Sequence, residues 1–316
     1  MPTGTGHGPP GGQPVRPRRH DPSRVADPVI PAAPSPVDLH AHTTRSDGVM
    51  APADLVRAAA RCGVTTFALT DHDTLAGYRE VVAARAVPHA MTLLTGVEIN
   101  ATVADDPALW EGELHILGLG MNPADDAFEA AMASQRDQRR RRFARTVDRL
   151  RDLGLPIDPQ VAALDPTDDD ALGRPTIARA LVVAGFATSV QDAFARLIGH
   201  GAPGYIRREG LGPDGAIRAI VTAGGVAVLA HFREAPMRLD LLRELVELGL
   251  GGLEVHYGSW DRVTIEAMAQ VATSLGLTPT GGSDYHGDTG FYAEAHAGLW
   301  VPPEVSEGLL ERIESG

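Results

Sequence analysis

The hydrophobic pattern of this 316-residue chain separates it into stretches of different texture. From residue 37 onward, short apolar runs alternate with segments of helical period. The runs fall at 37–42, 65–70, 91–99, 113–119, 226–231, 253–257 and 279–283. Their lengths and flanking turn residues suit buried strands. Between the first two, 52–62 reads as a helix with Pro52 in its first turn and Gly63 just past its end; 239–248 reads likewise, closed by Gly249. Strand, helix, strand in repetition predicts a parallel α/β sheet or barrel, here with seven strands. The middle of the chain departs from this rhythm. Residues 125–153 form one long helical pattern, with Phe143, Val147 and Leu150 at i, i+4 and i+7, followed by helical stretches at 176–183 and 190–198. Residues 122–205 therefore read as a helical insertion between the barrel halves, 37–121 and 206–316. Ahead of them, residues 1–36 hold 10 Pro and 5 Gly. That composition cannot offset its own ordering entropy, which predicts a disordered tail.

Composition narrows the chemistry. The formal charge is −13, and all 28 basic residues are arginine. A chain without lysine has no Schiff-base lysine, no P-loop lysine and no lysine general base. Cys62 is the only cysteine, so an intrachain disulfide and a CxxC zinc site are both excluded. Any metal must be held by histidine and carboxylate. The acidic balance argues against coating nucleic acid by bulk electrostatics, but leaves room for a local anion site. No apolar run reaches about 18 residues, and residues 1–36 lack the apolar segment of a secretory signal. The expectation is a cytoplasmic protein with no membrane contact and no stable protein partner.

Chemistry gathers at the strand ends. The first run delivers His40 and His42, which share a face because a strand repeats every two residues, and Asp47 follows five positions later. The second run ends at His72, the third at Glu98; the fourth carries His115, the fifth ends at His231, and the last leads into Asp284 and His286. In a parallel barrel these are the C-terminal strand ends, where active sites collect. Alone, His115 would be an ordinary core histidine and His-x-His a structural pair. Six imidazoles and three carboxylates converging on one rim are different, because burying them without a cation is costly. The exceptional run, 253–257, places Glu254 and His256 on one face by alternation, and they are read as neighbours of the site rather than ligands. Asp71 and Asp73 flank His72 and are read as orienting it. His7, His20, His89, His200 and His296 lack a partnering motif and are read as structural or exposed.

These residues also carry a resemblance. Asp38-Leu39-His40-Ala41-His42-Thr43-Thr44-Arg45-Ser46-Asp47-Gly48, then Thr70-Asp71-His72-Asp73-Thr74, then Gly282-Ser283-Asp284-Tyr285-His286-Gly287 resembles the PHP (polymerase and histidinol phosphatase) domain family, in order, from about residue 37 to 300. Gly173-Arg174-Pro175-Thr176-Ile177-Ala178 resembles more narrowly the stand-alone members that act on 3′,5′-nucleoside bisphosphates and on the 5′ ends of short RNAs. The resemblance implies a distorted seven-stranded (β/α) barrel with a helical insertion. It implies that His40, His42 and Asp284 hold one metal, that Glu98 bridges to a second held by His115 and His231, and that Asp47, His72 and His286 serve a third position. The chain departs from the family at Ala230-His231-Phe232, where the subfamily usually has proline after the histidine.

Imidazole mixed with carboxylate suits Mn²⁺, Fe²⁺ or Zn²⁺ rather than Ca²⁺ or Mg²⁺, and Mn²⁺ is the leading expectation. Two or three such ions suit phosphoester hydrolysis by metal-bound hydroxide, with no covalent intermediate on the protein. His231, His286 and a metal-bound water are the candidates to protonate the leaving oxygen, and the sequence does not choose between them. Arginine forks suit substrate phosphates: Arg174 first, then Arg207 and Arg208, with Arg233 close behind His231. The run 139–142 reads as a solvated helix face, because Asp137, Asp148 and Asp152 lie nearby. Phe232, Tyr205 and Tyr285 are candidates for an aromatic wall against a base. The leading expectation is a phosphomonoesterase acting on a small nucleotide such as 3′-phosphoadenosine 5′-phosphate, extending to short oligoribonucleotides. The alternatives are a histidinol-phosphate phosphatase, which would share the rim but not need the arginines, and a non-catalytic PHP module, which would not need nine intact ligand positions.

Overall fold

The computed structural model describes residues 34–103, 113–163, 170, 173–288 and 290–315, so the tail reading for 1–36 lies almost wholly outside the described residues. Seven strands form one sheet in chain order: β1 (Val37–Asp38), β2 (Thr66–Leu69), β3 (Thr92–Thr102), β4 (Glu113–Leu119), β5 (Val226–Leu229), β6 (Gly252–Tyr257) and β7 (Thr278–Gly282). The Leu39 amide donates to the Gly281 carbonyl at 3.0 Å, and Ala41 bridges Tyr285 in parallel. The first and last strands therefore meet, and the sheet curls into a nearly closed barrel.

The expectation of an all-parallel barrel needs one correction: β4 runs antiparallel to both β3 and β5. The reason lies in the connection. A parallel return needs a crossover of a dozen or more residues, and the span between Thr102 and Glu113 is too short to hold one. The reversal has a functional consequence, because it brings the N-terminal end of β4, with His115, to the rim where the parallel strands end.

The barrel interior follows from period two. Leu94 and Glu98 share a face of β3, as Leu119, Leu117 and His115 share a face of β4. The apolar members pack with Val226, Val228, Val305 and Leu309 into one buried cluster, closed by α11 (Pro303–Ser315). The polar members reach the opposite rim. Outside the strands lie α1 (Pro52–Arg61), α2 (Ala76–Ala83), α7 (Pro213–Thr222), α8 (Leu239–Glu247), α9 (Arg262–Leu275) and α10 (Tyr292–Ala297). Gly63 and Gly249 take left-handed φ of 88° and 107° just past α1 and α8, as the sequence predicts.

Between β4 and β5 the chain builds α3 (Asp126–Asp152), α4 (Asp158–Ala162), α5 (Arg174–Val183) and α6 (Val190–Ala193), with a π-turn over Phe194–Ile198. Asp125 caps α3 by accepting from the Phe128 amide. Val147, Leu150, Ile157, Ile177, Leu181 and Ile198 form a core separate from the barrel's. Among the described residues no helix is long and apolar enough to cross a membrane.

Candidate metal centre

The nine sequence-predicted ligands meet at the rim in three groups, the ligand atoms of each group lying within 4.8 Å of one another. In the first, His40 Nε2 stands 3.2 Å and His42 Nε2 3.2 Å from Asp284 Oδ1, with Glu98 Oε2 at 3.4 and 3.0 Å. In the second, Glu98 Oε1 lies 2.6 Å from His115 Nδ1 and 3.2 Å from His231 Nε2. In the third, Asp47 faces His72 Nε2 and His286 Nε2, each at 3.3 Å, and His42 Nδ1 at 3.7 Å. Glu98 thus serves two groups, as the resemblance implies; His42 also lies within reach of two, though a neutral imidazole bares a nitrogen to only one of them.

The residues fit metal ions on their own terms. His40 Nε2, both ring nitrogens of His42, Asp47 Oδ2, His72 Nδ1 and Asp284 Oδ1 are buried without a hydrogen-bond partner. Five side chains whose buried polar atoms face one another without partners require cations or protons to offset their desolvation. Burial opposes ionisation of Glu98, yet the surrounding His72, His115 and His40 hold its carboxyl well below the usual range. Asp284 and Asp47 are depressed in the same way, against burial, by His40 and His286 and by His72 and His286 respectively. Burial lowers His286, but Asp47 and Asp284 outweigh it and raise it to about 10. The carboxylates demand positive charge, and divalent ions would supply it in place of these protons.

Local backbone is shaped to the task. His231 and Asp284 sit at φ 32° and 51°, a left-handed region that costs non-glycine residues energy. Gly282 is needed for close approach, since a Cβ there would lie 2.4 Å from His40 Cβ.

The partners of these ligands differ in part from the sequence reading. Asp71 and Asp73 do not orient His72, because neighbours along an extended chain project elsewhere. Asp71 accepts from the Thr43 amide, Thr43 Oγ1 and Ser46 Oγ, fixing the turn that presents Asp47. Asp73 accepts from Arg139 and Arg208. Glu254 and His256 belong to none of the three groups. A bulge steps β6 two residues against one on β7 between them, and only Glu254 reaches the centre.

Run 139–142 is a solvated face only in part: Arg140 and Arg141 are exposed, but Arg139 and Arg142 are not. Arg139 and Arg142 are 6% and 8% exposed, because i and i+3 share one side of α3 and that side packs on the barrel. Arg139 bonds Asp73 and Asn100, and Arg142 bonds Glu113. Burial disfavours the Glu113 carboxylate, but Arg208, Arg142 and Arg174 outweigh it and hold its pKa at about 2. Asn100 touches His115 Nε2 at 2.6 Å. Sequence reasoning missed Asn100 and Glu113; period two, counted from Glu98 and His115, would have found both.

The centre opens into a cavity of about 490 Å³, to which the insertion contributes Arg139, Arg142, Phe143, Arg174 and Phe194. The barrel side adds Phe232, Tyr257 and Trp260, with Arg208 and Arg233. Arg207 is exposed and lies outside the lining, since its neighbour Arg208 takes the inward face. Of the aromatic candidates only Phe232 lines the cavity. Tyr205 packs instead against the guanidiniums of Arg142 and Arg174, at 5.8 and 5.9 Å. Tyr285 is buried against Tyr292 in the core that α1 covers, its hydroxyl donating to the Gly290 carbonyl.

A seven-stranded (β/α) barrel with clustered imidazoles and carboxylates on one rim defines a metal-dependent hydrolase, and comparison with known proteins gives the class. The PHP domain pattern matches residues 38–150. A 5′-3′ exoribonuclease of Haemophilus influenzae is 33% identical over 255 residues, spanning 79% of this chain and 89% of the relative. A 3′,5′-nucleoside bisphosphate phosphatase of Chromobacterium violaceum is 32% identical over 261 residues, spanning 79% and 87%. The structure of a Bifidobacterium adolescentis protein described as a metal-dependent phosphoesterase superposes with a TM-score of 0.76 at 32% identity, covering 90% of this chain and 97% of that one. The chain belongs to the PHP family, and it is a metal-dependent phosphoesterase.

Proposed function

We propose that the protein hydrolyses a phosphomonoester of a small nucleotide carrying a second phosphate, of the 3′,5′-nucleoside bisphosphate class. The observation that carries this reading is the cavity beside the nine ligands, which pairs arginines with aromatic rings. Four guanidiniums, Arg139, Arg142, Arg174 and Arg208, face two carboxylates, Asp73 and Glu113. These guanidiniums, together with the ions that the nine ligands would hold, would meet an anionic ligand with positive charge. Phe143, Phe194, Phe232 and Trp260 give a base an apolar wall, and the volume suits a ligand of nucleotide size. Histidinol phosphate, with a single phosphate, leaves that charge unused.

His40, His42, Asp284 and Glu98, then Glu98, His115 and His231, then His42, Asp47, His72 and His286 would hold the ions, a mixed donor set that Mn²⁺, Fe²⁺ and Zn²⁺ each accept. Bound divalent ions lower the pKa of water and offset charge on phosphoryl oxygens, which is the chemistry phosphoester hydrolysis needs. The chain's own residues do the rest. Arg174 and Arg142 grip the non-reacting phosphate, and the aromatic wall fixes the base so that the ester faces the rim. His231 and His286 are about a quarter exposed and line the cavity, and whichever of them is not holding an ion would give the leaving oxygen its proton. The cavity's polar lining also admits the 5′ end of a short RNA, a second reading favoured by the Haemophilus influenzae relative's activity.

The test is Arg174→Ala. A charge-assisted hydrogen bond to phosphate is worth about 1.5–3 kcal/mol, so KM for a 3′,5′-bisphosphate should rise about tenfold to a hundredfold while turnover of p-nitrophenyl phosphate stays nearly constant. An equal loss on both substrates would contradict the phosphate-gripping role.

A further inference from the structure

We infer that Glu254 is the positioning residue that ties two of the three metal positions together, a role that rests on the reading of the nine ligands as a metal centre. Glu254 is fully buried and does not itself line the substrate cavity. Its Oε1 accepts from His40 Nδ1 at 3.0 Å, and its Oε2 accepts from the His231 amide at 2.6 Å. The first bond keeps the proton of neutral His40 on Nδ1 and leaves Nε2 bare toward Asp284 and Glu98. The second holds the backbone of His231 in its left-handed turn, φ 32°, from which the imidazole reaches Glu98. One side chain thus sets the tautomer of a ligand in the first group and the backbone of a ligand in the second. Only a carboxylate does both, because both of its oxygens accept. A glutamine has one acceptor oxygen, so its amide nitrogen must face either the His231 N–H, as donor against donor, or His40 Nδ1, which moves the ring proton to Nε2 and blocks the ligand atom.

The experiment is equilibrium dialysis against Mn²⁺ with metal analysis, on the full-length wild type and on Glu254→Gln, with far-UV circular dichroism of both metal-free proteins. The expected result is an unchanged spectrum with Mn²⁺ affinity weakened about tenfold to a hundredfold. Wild-type affinity in Glu254→Gln would overturn the inference while leaving the metal centre standing, whereas a wild type that takes up no Mn²⁺ would overturn both. Should the variant not fold, ¹⁵N NMR of the Zn²⁺-loaded wild type decides: a proton on His40 Nδ1 supports the role, and a proton on Nε2 refutes it.

Discussion

Replacing Glu98 with glutamine is expected to lower kcat/KM by about 10³-fold or more, several kcal/mol of lost transition-state stabilisation, with the fold retained. Glu98 is 1% exposed and divides its oxygens between groups, Oε2 toward His40 and His42 and Oε1 toward His115 and His231. The amide is nearly isosteric, so packing survives. It has one acceptor oxygen instead of two and no charge, so at most one of the two positions keeps its full ligand set. Metal analysis should therefore show at least one fewer ion per chain, together with the loss of activity. Turnover within tenfold of wild type would mean that the bridging carboxylate has been misplaced.

Asp73→Ala is expected to be the most destabilising single change considered for the insertion. Asp73 is fully buried and receives Arg139 Nε at 3.0 Å and Arg208 Nη2 at 2.7 Å, while its own carbonyl receives Arg136 Nη1 at 3.0 Å. Burial works against the carboxylate, but Arg208 and Arg139 outweigh it and keep its pKa low. Alanine removes the carboxylate that both of these buried guanidiniums pair with. Breaking a buried ion pair from one side costs about 3–5 kcal/mol, which for a chain of this size lowers Tm on the order of 10 °C. A calorimetric Tm within about 2 °C of wild type would show that this pairing holds nothing together.

How much of this was legible in the sequence differs from one kind of residue to another. The candidate metal-binding residues were legible because strand ends announce themselves: an apolar run that leads into histidine or a carboxylate needs no tertiary information, and six of the seven runs supply the nine candidates that converge on one rim. The direction of β4 was hidden in a connection rather than in a pattern, and the position of His115 at a strand start was the available hint. The arginines were misread for a physical reason. A helix face carrying Arg136, Arg139 and Arg142 looks solvated until its partners are known, and those partners, Asp73, Asn100 and Glu113, lie on other elements and far away in sequence. Glu254 was noticed by its alternation with His256, but the bulge that separates their roles leaves no trace in composition. Chemistry held by one element could be read directly, and chemistry held between elements could not.

The most direct test of the central claim is phosphate release from 3′-phosphoadenosine 5′-phosphate by the Mn²⁺-loaded protein, beside the same protein stripped with chelator and beside histidinol phosphate. The account predicts turnover that disappears with the metal, returns on adding Mn²⁺, and strongly favours the bisphosphate. Equal turnover after chelation would contradict the metal centre, and preference for histidinol phosphate would contradict the role given to the arginine-lined cavity.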